Sequence, residues 1–282
     1  MSRILTILTF LFLAVIATPA HAQIEQDKIF ESVTSKNKIR CGYSEWAPFL
    51  IIDANTGEKT GIMKDVMDEI GKRMGVEIEW TASIGWGEIT TAANSGKIDM
   101  FCNTTWPDKA QLKNMSLSRP LFYTPTYAYV RKGDTRFDNN YDAINSPDVK
   151  IAGIDGDSTY MTMKMHFPNA TMVALPNIAD ISQMVMNVTT KKADLILADP
   201  GVIDDYNKKA PPEKQLQRVK GKPLFVMSEV LVTRAGEQQL MNSINTILYS
   251  LINEGFMEKV LKKHNATASH APRPEVDLPD LE

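Results

Sequence analysis

The chain has 282 residues and a formal net charge of −3, with both signs interspersed. That length suffices for one large or two medium domains with real cores, and the lack of a basic stripe argues against nucleic acid as a partner. Four scattered histidines (His21, His166, His264, His270) and two cysteines show no metal-ligand spacing, so no metal or cofactor is expected.

In chain order, the first segment is a leader. MSRILTILTFLFLAVIATPAHA carries one early arginine, an apolar run from Ile4 to Ala17 and the small-x-small site Ala20-His21-Ala22. This is the three-part layout of a secretory signal peptide, and the apolar run is short for a membrane span. Cleavage near Ala22 gives an exported, periplasmic mature chain starting near Gln23, in a compartment that permits disulfides. No cysteine follows the cleavage site, so no lipid anchor is expected.

NKIRCGYSEWAPFLIID reads as a strand over Ile39–Tyr43, a loop, and a second short strand ended by the turn residues ANTGEKTG. GIMKDVMDEIGKRMGV places Ile62, Val66, Ile70 and Met74 four apart, an amphipathic helix with Gly75 as its stop. VEIEW alternates as a strand does, and GEITTAANSGKIDMF reads as a short helix ending at Gly96 and another strand. TYAYVRKGD reads as a strand leading out of this first unit. The pattern then restarts: VKIAGIDGDSTYMTMKMHFP is strand, turn and helix; ATMVAL a strand; IADISQMVMNVTTKK a helix; ADLILADPG a strand ending in a polar turn. LFVMSEVLVTR matches TYAYVRKGD in character, as if the chain crossed back. EQQLMNSINTILYSLINEGFMEKVLKKH gives two helical runs broken near Gly255, and the proline-rich, acidic end lacks periodicity and reads as a disordered tail.

Strand–helix alternation predicts α/β units with mainly parallel sheets. Two such halves joined by two extended crossings predict a hinge with a cleft between lobes, and ligands lie at the carboxyl ends of the strands. The expected division is lobe 1 at 23–130 plus 231–264, lobe 2 at 131–230 and a tail at 265–282. One continuous sheet would end this reading.

CNTTWPDKAQ follows the strand-like KIDMF, so it sits at such a carboxyl end. Around it, IRCGYSEWAPF, TGIMKDVMDEIGKRMGVEIEW, GWGEITTAANSGKIDMFCNTTWPDKAQ, LSRPLFYTPTYAYVRKGD, IAGIDGDSTYMTMK, KKADLILADPGVIDDY and INEGFMEKVLKKH run in an order that resembles the family 3 bacterial solute-binding proteins, periplasmic receptors of polar amino-acid ABC transporters. The resemblance covers nearly the whole mature chain. It implies the type II periplasmic-binding-protein fold: two α/β domains joined by two hinge strands, closing on a small solute and delivering it to a membrane permease. A monomer without catalytic activity is expected.

The resemblance also implies the site. Trp46 and Trp86 fall where the family places two aromatic faces that sandwich the ligand, which suits an apolar or cationic skeleton. Phe49 is a further candidate, although packing beside Pro48 explains it as well, and Trp106 lies near the cleft. Asn103, Thr104 and Thr105 match the loop that offers amides and a hydroxyl to a ligand carboxylate, with a helix start near Pro107 adding amides. At the family's arginine stands Lys109, a point charge that cannot make the forked pair. Asp157, Ser158 and Thr159 match a second-lobe turn that acts chiefly through backbone amides. Asp199 matches the aspartate that pairs with the ligand's ammonium, and as an aspartate after a strand it also suits a helix N-cap. Cys41 and Cys102 fall near the ends of two strands that the family sets side by side, about 4.8 Å apart, close to disulfide reach but geometrically tight; bonded and free forms both remain open.

Met161, Met163, Met165 and His166 are soft donors for Cu(I), but residues two apart on a helix face away from each other. A dehydratase-like enzyme on the same scaffold is the alternative function and needs a cleft acid, for which Glu45 and Glu229 are the candidates. Glu229, at the start of the return crossing, reads equally well as an exposed hinge residue. A solute-sensing module feeding a signalling partner is the other alternative.

Overall fold

The computed structural model describes residues 27–266. The expected signal peptide, 1–22, and all but the first two residues of the expected tail lie outside the described residues. Among the described residues no helix is long and apolar enough to cross a membrane.

The first unit runs α1 (Lys28–Lys36), β1 (Lys38–Tyr43), β2 (Ile51–Ile52), β3 (Lys59–Thr60), α2 (Ile62–Met74), β4 (Glu77–Ser83), α3 (Ile89–Asn94), β5 (Met100–Thr105), α4 (Lys109–Asn114) and β6 (Met115–Leu117). The four-residue spacing in α2 buries Ile62, Val66 and Ile70, with Met63 and Met67 beside them. Gly75 ends that helix in the left-handed region, φ 70°, where a residue without Cβ is least strained. The chain leaves along β7 (Phe122–Arg131) and builds β8 (Lys150–Ile154), α5 (Ser158–His166), β9 (Thr171–Leu175), α6 (Ile181–Thr189), β10 (Leu195–Ala198), α7 (Pro200–Lys209) and β11 (Leu216–Arg218). It returns along β12 (Phe225–Arg234) and closes with α8 (Gln238–Asn253) and α9 (Phe256–Lys263).

In the first lobe β4, β1 and β5 are parallel, β12 joins antiparallel to β5, and β6 adds to β12. In the second, β10, β8 and β9 are parallel, with β7 antiparallel to β10 and β11 on its other side. The two crossing strands carry the join. Phe225–Glu229 pairs with Phe122–Thr126 between the lobes, while Tyr127–Val130 pairs with β10 and Val230–Arg234 pairs within lobe 1. Strand pairing is therefore continuous through the hinge, the outcome expected to rule out two lobes; that criterion fails, because the two crossing strands pair with each other while the cores stay divided. Ile39, Met67, Phe122 and Leu248 share one apolar cluster, and Ile154, Val185, Ile196 and Ile203 another. We place the lobe boundaries where the crossing strands change partners: at 126/127, four residues before the expected 130/131, and at 229/230, one before the expected 230/231.

Cys41 and Cys102 are bonded, with their Cα atoms 5.3 Å apart. Parallel register sets Cys41 opposite Met100, so Cys102 stands two residues further along the same face. That diagonal offset relieves the tightness of a directly opposed pair.

Candidate functional site

Four strand ends meet between the lobes: β1 leads to Trp46, β5 ends at Thr105, β8 leads to Asp157 and β10 leads to Asp199. They line a cavity of about 50 Å³, open on one side and with room for about four waters or a small head group. Lobe 1 lines it with Trp46, Trp86, Thr104, Thr105 and Trp106; lobe 2 lines it with Asp157, Ser158, Thr159, Asp199 and an aliphatic wall of Ile154, Ile181, Met184, Leu197, Ala198 and Val202. Trp86, Ile181 and Val202 pack against the cores of both lobes, which is where the lobes meet.

Three aspartates each cap a helix that starts at this cleft. Asp199 caps α7, accepting from the Val202 amide at 3.2 Å, with Pro200 at the first helical position. Its other oxygen accepts the Trp46 indole N–H at 3.0 Å across the lobes. Asp199 is 2% exposed, and burial pushes its carboxyl up to about 6, against the pull of those donors. Asp157 caps α5 by accepting from the Thr159 and Tyr160 amides at 2.8 and 3.3 Å, and burial raises it too, with Asp108 adding to the rise. Asp108 caps α4, accepting from the Ala110 and Gln111 amides at 2.7 and 2.8 Å.

Asp108 also reaches across: the Ser158 hydroxyl donates to it at 3.0 Å, and the Gln111 side-chain amide donates to Thr105 at 3.2 Å and Ser158 at 3.4 Å. A third crossing joins the Gly87 amide to the Asn177 carbonyl at 3.3 Å. The approach there is tight. A Cβ on Gly87 would lie 2.3 Å from the Asp155 carbonyl oxygen and 2.7 Å from the Asn177 Cβ.

Behind the Trp106 ring lies Glu229, wholly buried on β12. One carboxyl oxygen accepts from the Trp106 indole and the Thr124 hydroxyl, each at 2.5 Å; the other has no hydrogen-bond partner. Burial pushes this carboxyl up to about 7, opposed by Thr124, Trp106 and Thr104. The Thr104 hydroxyl lies near enough to favour the charged form but makes no hydrogen bond of ordinary geometry.

Most expected residues do line the cavity: Trp46, Trp86, Thr104, Thr105, Asp157, Ser158, Thr159 and Asp199, with Trp106 beside them. Others differ. Lys109 is exposed and outside the lining, because the Asp108 cap starts α4 with residue 109 turned to solvent and residue 111 turned inward. Asn103 is not in the lining either: its amide donates to the Ser44 carbonyl at 2.9 Å and its oxygen accepts the Thr104 amide, tying β5 to the loop after β1. Phe49 is fully buried and stacks behind Trp46 at 4.3 Å, so it packs rather than faces the cleft. Glu229 is neither exposed nor in the lining, and Glu45 is exposed at the outer groove. Trp46 and Trp86 meet edge to face at 88°, a corner rather than a sandwich. The Thr159 amide, expected to receive a ligand carboxylate, is already taken by Asp157. Met163 is core whereas Met161 and Met165 are exposed, so these methionines do not converge. Among the described residues no cluster of three or more histidine, cysteine or acidic side chains could hold a metal.

Gln111 went unread in the sequence, although its place three residues after a helix-capping aspartate gives it an inward phase. The aliphatic wall from α6 and β10 carries no signal beyond ordinary apolar patterning.

The chain is 25% identical over 197 residues to a probable ABC transporter extracellular-binding protein, YckB, of Bacillus subtilis (strain 168), covering 69% of this chain and 66% of that one. By structure it resembles the amino acid ABC transporter substrate-binding protein AbpA of Streptococcus pneumoniae bound to L-arginine, with TM-score 0.71 and 16% identity over 84% of this chain and 98% of that one. It also resembles an ancestral amino acid-binding protein described as a precursor of cyclohexadienyl dehydratase, with TM-score 0.69 and 22% identity over 83% and 97% of the two chains. These likenesses show the two-lobed type II fold, and with residues 39–267 matching the bacterial extracellular solute-binding proteins, family 3, the chain belongs to that family.

Proposed function

We propose that this chain is the periplasmic solute receptor of an ABC importer, a monomer whose lobes close on a small amine-bearing solute, an amino acid or a derivative of one, and present it to a membrane permease. The signal-peptide pattern ending near Ala22 supports export. The observation that carries the solute class is Asp199: a nearly fully buried carboxylate on the second lobe, sharing the cavity with three indoles and, among the described residues, with no basic side chain in the lining. A buried charge without a partner is costly, and an ammonium arriving on closure removes that cost. Closure supplies the affinity, since it desolvates both ligand ends at once.

Thermal-shift screening of the mature chain against an amine and amino-acid panel, followed by calorimetry of each hit, tests this. One-to-one binding with a change in tryptophan fluorescence is expected. One rival is an enzyme, which needs an acid near neutrality; Glu229 has the raised carboxyl but stands behind the Trp106 ring, outside the lining. Disappearance of a bound solute over time would support that rival; intact solute recovered after binding supports the receptor.

A further inference from the structure

The solute class can be narrowed, on the footing of the receptor reading above. Among the described residues no lysine, arginine or histidine lines the cavity, and Lys109, next to the lining residues Thr104–Trp106 in sequence, is exposed outside it. Two carboxylates do line it, Asp157 and Asp199, and a third, Glu229, stands behind the Trp106 ring. A ligand carboxylate brought into this space would meet like charge, with no counter-charge to offset its desolvation.

Helix N-termini do not rescue an anion here. Asp157 already accepts the Thr159 and Tyr160 amides, Asp199 the Val202 amide, and Asp108 the Ala110 and Gln111 amides. Each positive helix end that faces the cleft is neutralised by its own cap. Outside the lining, the Gln111 side-chain oxygen and one Glu229 oxygen are buried acceptors without hydrogen-bond partners, and the Thr104 hydroxyl in the lining, also unpartnered, can accept as well as donate. Three indole rings suit a cation.

We infer that the cleft selects a small organic cation that carries no carboxylate, a primary or quaternary amine or a guanidine, over the corresponding α-amino acid. The cation sits among Trp46, Trp86 and Trp106 with Asp199 as its counter-charge; Asp199 keeps spare acceptor capacity beyond the Trp46 and Val202 donors. The cavity holds a head group of a few heavy atoms, and a longer tail leads past Trp46 into the adjoining groove, whose walls include Glu45 and Asp180 and the ion pair Lys209–Asp205 at 2.8 Å.

The test uses the unaltered mature chain and matched pairs that differ by a carboxylate: agmatine with L-arginine, cadaverine with L-lysine, and choline with glycine betaine, each titrated by calorimetry. In at least one pair the member without the carboxylate is expected to bind about tenfold or more tightly than its partner. Equal or tighter binding by the carboxylate-bearing member in every pair that binds overturns the inference. So does silence from all six compounds. If a neutral or acidic solute such as L-glutamine or L-glutamate then binds with the same fluorescence change, the receptor reading stands and only the cation inference falls. If nothing in a broad metabolite panel binds, the receptor reading itself falls.

Discussion

Replacing Glu229 with glutamine removes a buried charge while keeping the side chain's shape. The sign of the effect follows from its raised carboxyl. An acid whose folded value lies above its unfolded one holds a proton in the folded chain that the unfolded chain has already lost. Its favourable contribution is full below the unfolded value and is lost as pH rises through the folded value, so the window runs from 4.5 to about 7. That difference corresponds to about 3 kcal/mol of stability missing from the empty protein at about pH 8. Glutamine cannot ionise; its oxygen still accepts from Trp106 and Thr124, and its amide can donate toward the unpartnered Thr104 hydroxyl. Glu229→Gln is therefore expected to match the native chain at about pH 4 and exceed it by about 3 kcal/mol at about pH 8, some 6–12 °C in melting midpoint for a chain of this size. Calorimetric melts of both proteins at both pH values give the comparison. A variant no more stable at the higher pH, or weakened equally at both, would show that the carboxylate is not an uncompensated buried charge.

Lys109→Ala should leave solute affinity within about twofold, as expected for an exposed charge away from the site, while Gln111→Ala weakens binding by breaking the Thr105 and Ser158 contacts; titration calorimetry of the two variants separates these. Gly87→Ala should fold normally but fail to close, because its new Cβ would meet the Asp155 carbonyl at 2.3 Å; small-angle scattering with and without solute should show no compaction. The Cys41–Cys102 bond closes a 61-residue separation, and on loop entropy its reduction should cost about 4 kcal/mol; urea midpoints with and without reductant measure that, and native protein should show no titratable thiol. Solute affinity should fall as pH drops below about 6, since a protonated Asp199 no longer pairs with an ammonium; a flat profile from about pH 5 to 8 would separate binding from that carboxylate.

Much of the fold is readable because its elements carry local signals. The apolar spacing in α2 and its glycine stop agree with the observed helix, Ile62–Met74, and the restarting strand–helix pattern marks the second lobe. Helix α1 buries only Ile29 and Val33, too weak a stripe to announce itself, and α7 hides behind DPG, which serves as a polar turn and a helix start at once. In the site, residue type was more legible than direction. Asp199 is both the cap and the cleft carboxylate, so its two sequence readings are compatible. Lys109 and Gln111 trade places because helix phase is set by the cap at Asp108, a two-residue matter that composition does not encode. The perpendicular setting of Trp46 and Trp86 depends on contacts from both lobes, which no local pattern carries.

In the proposed function, Asp199 is the group that meets the solute's cation when the lobes close. Calorimetric titration of the tightest amine found, into the native chain and into Asp199→Asn with its fold checked by melting, tests that directly. The native Kd should rise about 30-fold or more in the variant, the cost of leaving a buried cation without its partner. An unchanged Kd, within about twofold, would take Asp199 out of the binding site and contradict the account.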